Sequence, residues 1–238
     1  MAGHSKWKTI KHKKAAADAK RGKEFTKLIK EITVAARDGG GDPSGNPRLR
    51  TLLDKAKKIN MPQDNVSRAI KKGTGQLPGQ QYEAFRYEGY GPGGIAVMVD
   101  VLTDNKNKAV AEVRHMFSKK GGNIAETGAV SWMFERLGAI RISESKLSED
   151  ELLEKLIEHD IQDITKEDNV TTVLCEPKAL SEISNAISDA GCTIDEAEVE
   201  WIAKTPLTLS TEEEKKAIEF LDAIEELDDV QNVYTNLG

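Results

Sequence analysis

Apolar residues in this chain follow a helical period up to residue 73 and a strand-and-helix alternation from residue 82 onward, so no single layer of structure accommodates the whole. Phe25, Leu28, Ile29, Ile32 and Ala36 recur at the spacing that lines one helix face, in a helix expected from Ala15. Gly39, Gly40 and Gly41 end it, since glycine accepts the left-handed conformation common just past a helix C-terminus. Asn46 followed by Pro47 is a helix start, an N-cap with proline in the first turn. Leu49, Leu52, Leu53, Ala56 and Ile59 form the next stripe. A third, shorter helix follows Pro62, with Val66, Ala69 and Ile70 inward and Gly73 as its stop. The expectation for 1–75 is a small helical bundle with a lysine-rich arm at 1–14, extended or mobile, followed by a linker over 74–80.

Strands are expected at 82–88 and 95–102. Between them, residues 89–94 read GYGPGG and match G-x-G-x-x-G. A dinucleotide site needs a helix next, whose N-terminus meets the pyrophosphate. Here a strand follows, and Pro92 has no N–H to donate, so a hairpin loop is the better reading. A helix over 106–120 and a strand near 130–134 come next. From Gly138 the order is strand 139–143, helix 148–158 with Leu152, Leu153, Leu156 and Ile157 inward, strands 161–165 and 170–175, helix 177–190 and strand 193–202. That βαββαβ order is ferredoxin-like. A helix at 211–226 and a strand at 229–235 are left without a partner unless they complete the unit begun at 82–134. The expected fold is therefore α+β with three domains. These are a helical bundle (1–75), a discontinuous α/β middle domain (76–134 with 205–238) and a ferredoxin-like α/β domain (135–204) inserted into it.

Charge divides along the same boundary. Residues 1–75 carry 19 Lys and Arg against 7 Asp and Glu, a net +12, while 76–238 carry 15 against 33, a net −18. The overall −6 thus conceals a basic region of the kind that meets phosphate, with an acidic remainder that a polyanion would repel. The candidate nucleic-acid contacts are Lys6, Lys8, Lys11, Lys13, Lys14, Lys20, Arg21 and Lys23, joined by Arg68, Lys71 and Lys72 at the end of the third helix, where part of the charge complements the helix dipole. Trp7 is a candidate for stacking on a base or, equally, an apolar anchor for the arm. Gln63, Asn65 and Arg68 are the side chains the third helix would offer to base edges, and the hairpin loop 89–94 is a second candidate contact.

Little in the chain suggests catalysis. His4, His12, His115 and His159 do not pair with one another or with a cysteine at a metal-ligand spacing, and Cys175 and Cys192 stand apart, so no zinc site is expected. No nucleophile elbow or phosphate-binding loop is present. Glu126, in the polar loop GGNIAETG at 121–128, is a carboxylate to which the sequence assigns no partner. No catalytic residue and no small-molecule substrate are assigned. Without an apolar leader or a membrane-length apolar run, the expectation is a soluble cytoplasmic protein.

Several segments together resemble the YebC/PmpR family. They are MAGHSKW at 1–7, KKAAADAKRG at 13–22, GGDP at 40–43, NPRL at 46–49, NMP at 60–62, RAI at 68–70, YEGYGPGG at 87–94, AEVRH at 111–115, FSK at 117–119, GGN at 121–123 and VQNVY at 230–234. The likeness is specific over the first 135 residues and looser across the inserted unit, and Ala129 stands where that family usually has serine. The resemblance implies a helical N-terminal domain, two α/β domains and no enzyme activity or cofactor. It points to a non-enzymatic regulator of gene expression, as a DNA-binding transcriptional regulator or as a translation factor acting on ribosomal RNA at difficult nascent sequences such as proline runs. The charge pattern does not separate these two, since DNA and RNA both present phosphate; the arm, with Trp7 among its lysines, leans toward folded RNA, and the helix pair at 47–72 toward DNA. A protein-binding adaptor acting through the acidic domains is a third reading.

Overall fold

The computed structural model describes residues 7, 19–143, 147–167 and 170–238. Three helices come first: α1 (Ala19–Gly39), α2 (Pro47–Lys58) and α3 (Gln63–Gly73). Gly40, at φ +85°, reverses the chain after α1. Asn46 then joins two elements with one side chain. Its Oδ1 accepts the Leu49 N–H at 3.0 Å as the N-cap of α2, and its Nδ2 donates to the carbonyls of Ala35 and Gly40, both at 2.8 Å. Leu28, Ile32 and Ala35 of α1 pack with Leu49, Leu52 and Ala56 of α2, Met61, and Val66 and Ala69 of α3.

Strands β1 (Glu83–Tyr90) and β2 (Ala96–Thr103) form an antiparallel hairpin closed by a short 3-10 turn at Pro92–Gly94. Helix α4 (Lys106–Lys119) returns the chain to β3 (Asn123–Ala125), which pairs with β1. After a second short turn at Ser131–Met133, β4 (Phe134–Ser143), α5 (Glu149–Lys155), β5 (Ile161–Glu167), β6 (Val170–Cys175), α6 (Leu180–Asp189) and β7 (Glu196–Ala203) follow. The chain then rejoins the first sheet through α7 (Thr211–Glu225) and β8 (Val230–Thr235), which pairs with β2. The two four-stranded sheets have the orders β3-β1-β2-β8 and β5-β6-β4-β7. The second is the ferredoxin-like order. The first has as its central pair the hairpin β1–β2, flanked by strands that each arrive from a helix.

Two local expectations are corrected. The segment 130–134 is not a strand of its own: Ser131–Met133 form a turn, Phe134 opens β4, and the edge beside β1 is taken by β3. The N–H groups of Val130 and Ser131 are bound by the Glu88 carboxylate and so are unavailable to a ladder. Helix α5 ends at Lys155 instead of 158, and of the four residues expected inward Leu152 and Leu156 are fully buried, whereas Leu153 and Ile157 are 49% and 76% exposed. A short helix on a small sheet buries one i, i+4 stripe, and the neighbouring stripe faces water.

The first sheet has a core on each face. On the helix side, Val97, Val99 and Val101 of β2 pack with Val113 and Phe117 of α4 and Phe220, Leu221 and Ile224 of α7; Phe117 meets Phe220 edge-to-face at 4.9 Å. On the other side, Ala96, Met98 and Tyr234 pack against Val130, Phe134 and Ala203, which brings the second sheet onto the first. Trp201 of β7 lies under the Arg86 guanidinium at 4.7 Å, and Arg86 in turn pairs with Asp100 at 2.7 Å. Among the described residues no helix is long and apolar enough to cross a membrane.

Candidate nucleic-acid interface

Helix α1 carries Lys23, Lys27 and Lys30 at i, i+4 and i+7, which places the three ammonium groups along one side. That side is covered along much of its length. It lies against the C-terminal end of α7, whose last turn contains no basic residue of its own. Lys23 Nζ donates to the Glu226 carbonyl at 3.0 Å and to Glu226 Oε2 at 2.7 Å. Lys27 Nζ donates to the Glu225 carbonyl at 3.0 Å. Lys30 Nζ donates to the Asp228 carbonyl at 3.0 Å and to Asp229 Oδ1 at 2.6 Å. The lysines thus supply positive charge where a helix end and two carboxylates concentrate negative charge.

Burial increases along this row. Lys23 and Glu226 keep 45% and 60% of their side chains exposed, but Lys30 and Asp229 keep only 9% and 12%. Asp229 Oδ2 also accepts the Thr103 hydroxyl at 2.9 Å. Burial pushes the Asp229 carboxyl up, but the hydrogen bonds from Lys30 and Thr103 outweigh it and hold the carboxyl below its ordinary range. A second tie joins Lys55 of α2 to Glu198 of β7 at 2.5 Å. Glu31, near this pair, is pushed up by burial, with Lys55 opposing. The helical region is therefore fastened to both sheets by charge pairs.

Lys23, one of the candidate phosphate contacts, belongs to this row and is paired with Glu226 at its exposed end. Lys27 and Lys30 went unselected in the sequence. The available signal was the pairing of a lysine row at i, i+4, i+7 with the acidic stretch Glu225, Glu226, Asp228 and Asp229 just before the final strand. Trp7 is 1% exposed and packs in the helix-side core of the first sheet. The anchor alternative describes this placement, and the indole presents no face for a base to stack on. Lys20 and Arg21 fall in the first turn of α1. Lys6, Lys8, Lys11, Lys13 and Lys14 lie outside the described residues.

The remaining three candidates share one end of α3. Arg68, Lys71 and Lys72 are exposed, and none has an ion-pair partner among the described residues. Their backbone is fixed from below by Val66 and Ala69, so three cations sit within about one and a half turns on a rigid support. Of the residues expected to read base edges, Gln63 and Arg68 are exposed and Asn65 is half-buried. The loop 89–94 is a hairpin turn, with the Gly91 N–H bonded to the Ile95 carbonyl at 2.8 Å. His115 is exposed on α4, and Cys175 is a buried free thiol pushed up to about 11 by burial beside Glu176.

Comparison with known proteins agrees with this architecture. Residues 5–76 match a family model described as the TACO1/YebC protein N-terminal domain, and residues 82–237 match one described as the TACO1/YebC second and third domain. A protein of Desulfosudis oleivorans is 53% identical over 236 residues, covering 99% of this chain and 96% of its own. One of Nitrosococcus oceani is 54% identical over 237 residues, covering 99% and 95%. Both bear the name "Probable transcriptional regulatory protein". The crystal structure of a conserved hypothetical protein from Aquifex aeolicus superposes with a TM-score of 0.83 at 47% identity, covering 93% of this chain and 91% of that one. With two family models spanning nearly its whole length and relatives about half identical from end to end, this chain belongs to the TACO1/YebC family.

Proposed function

We propose that this protein is a non-enzymatic, cytoplasmic regulator of gene expression that binds nucleic acid by phosphate contacts from its N-terminal region. The observation that carries the reading is the trio Arg68, Lys71 and Lys72, exposed and without an ion-pair partner among the described residues, within a region of net charge +12. Duplex DNA is the target that the relatives' name supports. Contact with ribosomal RNA is the second reading, and an exposed aromatic residue described below favours it.

If about six bases reach phosphate, log affinity for duplex DNA falls against log salt with a slope near −5. Changing Lys11, Lys13 and Lys14 to glutamate should flatten that slope by two or more. An unchanged slope removes the arm from the interface. Titrating labelled protein with ribosomes and with mixed duplex DNA in one buffer at physiological salt then separates the two targets. Sequences that hold on as salt rises support the transcriptional reading, and ribosomes winning by orders of magnitude support the other.

A further inference from the structure

The loop that joins β3 to β4 is held more firmly than a surface loop requires. Glu88 of β1 is 4% exposed, and its carboxylate accepts three backbone N–H groups: Gly128 at 2.9 Å, Val130 at 2.8 Å and Ser131 at 2.9 Å. Burial pushes this carboxyl up, but the three N–H groups outweigh it, and it ends below its ordinary range. Gly128, at φ +92°, supplies a backbone conformation that other residues rarely adopt. A buried charge is thus committed to fixing the path of residues 128–131.

The fixed path presents two aromatic rings. The Ala129 carbonyl accepts the Trp132 indole N–H at 3.1 Å and the Tyr90 hydroxyl at 3.4 Å. The polar tips of both side chains are satisfied at one atom, so the rings share one patch. Trp132 is nevertheless 68% exposed, and Tyr90 36%. Lys204 Nζ donates to the Trp132 backbone carbonyl at 3.1 Å, which sets a cation at the same turn. Asn123, exposed on β3, stands directly opposite Tyr90 in the ladder. Glu126 is exposed on the same loop.

We infer that Trp132 and Tyr90 form a stacking site for an unpaired nucleobase of single-stranded RNA or DNA, with Lys204 at the adjoining phosphate. A flat, pre-positioned indole loses little freedom on binding, and stacking on it is open to any base. A stable protein partner would bury about 800 Å² on this side, with a core enriched in large apolar side chains. The other large exposed apolar side chains among the described residues are Leu77, Leu153 and Ile157, none of which is on this loop. The inference rests on the nucleic-acid reading above and adds a second contact, carried by the first sheet instead of the basic region.

The test uses the full chain with two probes of equal length, a single-stranded oligonucleotide and a fully paired duplex. Trp132→Ala should weaken single-strand binding about tenfold and leave duplex binding within twofold, while Trp132→Phe retains most of the affinity. The single strand should quench the indole emission that Trp132→Phe removes. Because Trp132 is exposed, the thermal midpoint of Trp132→Ala should stay near that of the parent, which separates a defect in stacking from a defect in folding. Equal single-strand affinity for Trp132→Ala and the parent overturns the stacking site while the phosphate reading stands. Binding of neither probe by the parent protein overturns both.

Discussion

Two clusters of positive charge on the helical region invite comparison. Lys23, Lys27 and Lys30 on α1 and Arg68, Lys71 and Lys72 on α3 are similar in sequence, being basic residues spaced along amphipathic helices. The first set lies against the acidic end of α7 and holds the helical region to the sheet. The second set projects into water without an ion-pair partner among the described residues. Net charge counts the two sets alike, but only the second is available to a ligand. The difference shows that a basic stretch in a chain of mixed charge has an internal competitor for its lysines, and that the competitor prevails where a carboxylate and a helix C-terminus converge on one ammonium.

The comparison can be broken at its most buried member. Lys30→Ala leaves Asp229 buried without its cation and should cost about 3–5 kcal/mol in urea unfolding, as removing one partner of a buried pair generally does. Changing Lys30 to methionine and Asp229 to leucine together should recover much of that loss, which would assign the cost to the stranded charge. No loss in the single variant, or no recovery in the double one, would contradict the account.

Acid provides a second route. Asp229 and Glu88 both have folded-state values below their ordinary ones. Each therefore contributes stability that is present above about pH 4, the unfolded range, and is lost as pH falls through the folded value. Unfolding free energy should be flat from pH 7 to about 5 and decline below that. Asp229→Asn should make the decline shallower, and adding Glu88→Gln should make it shallower again. A profile with the same slope in the double variant would place the acid sensitivity elsewhere.

The exposed set should behave in the opposite way. Replacing Arg68, Lys71 and Lys72 by alanine should leave stability within about 0.5 kcal/mol, since surface changes away from special contacts seldom exceed that. It should reduce the magnitude of the duplex salt slope by about 0.9 for each phosphate that is no longer neutralised. Reduced stability without change in slope would mean that α3 uses these cations internally, as α1 does. Within the α1 row the smallest effect is expected at Lys23→Ala. Its pair with Glu226 is half in water, so the change should cost no more than about 1 kcal/mol and fade further in high salt.

Much of the architecture was legible because it is written in local rules. Asn46-Pro47 starts a helix wherever it occurs, and here the same asparagine caps α2 and ties back to α1. The hairpin reading of 89–94 followed from the strand after it and from proline's missing donor, and the loop is a turn between paired strands. The orphan helix and strand at the C-terminus required an earlier partner, and β8 completes the first sheet beside β2. The misread positions are those whose outcome depends on what lies across from them. Leu153 and Ile157 have the same helical spacing as Leu152 and Leu156, and only the size of the sheet below decides which stripe it covers. The apolar run near 130–134 had strand composition, but a carboxylate from β1 bound its N–H groups first.

The candidate site divides in the same way. The chain by itself determined that a strongly basic region precedes an acidic one, that the basic region holds a run of helices, and that the alternation after residue 82 builds α/β units. These follow from period, capping and charge count, which are properties of neighbours in sequence. Tertiary structure alone decided that Lys30 neutralises Asp229, that Trp7 is in a core, and that Glu88 braces the loop presenting Trp132. The strength of a charge pair depends on separation and on the water around it, and the exposure of a ring depends on what packs over it. Both are set by residues distant in the chain, and no local pattern encodes them.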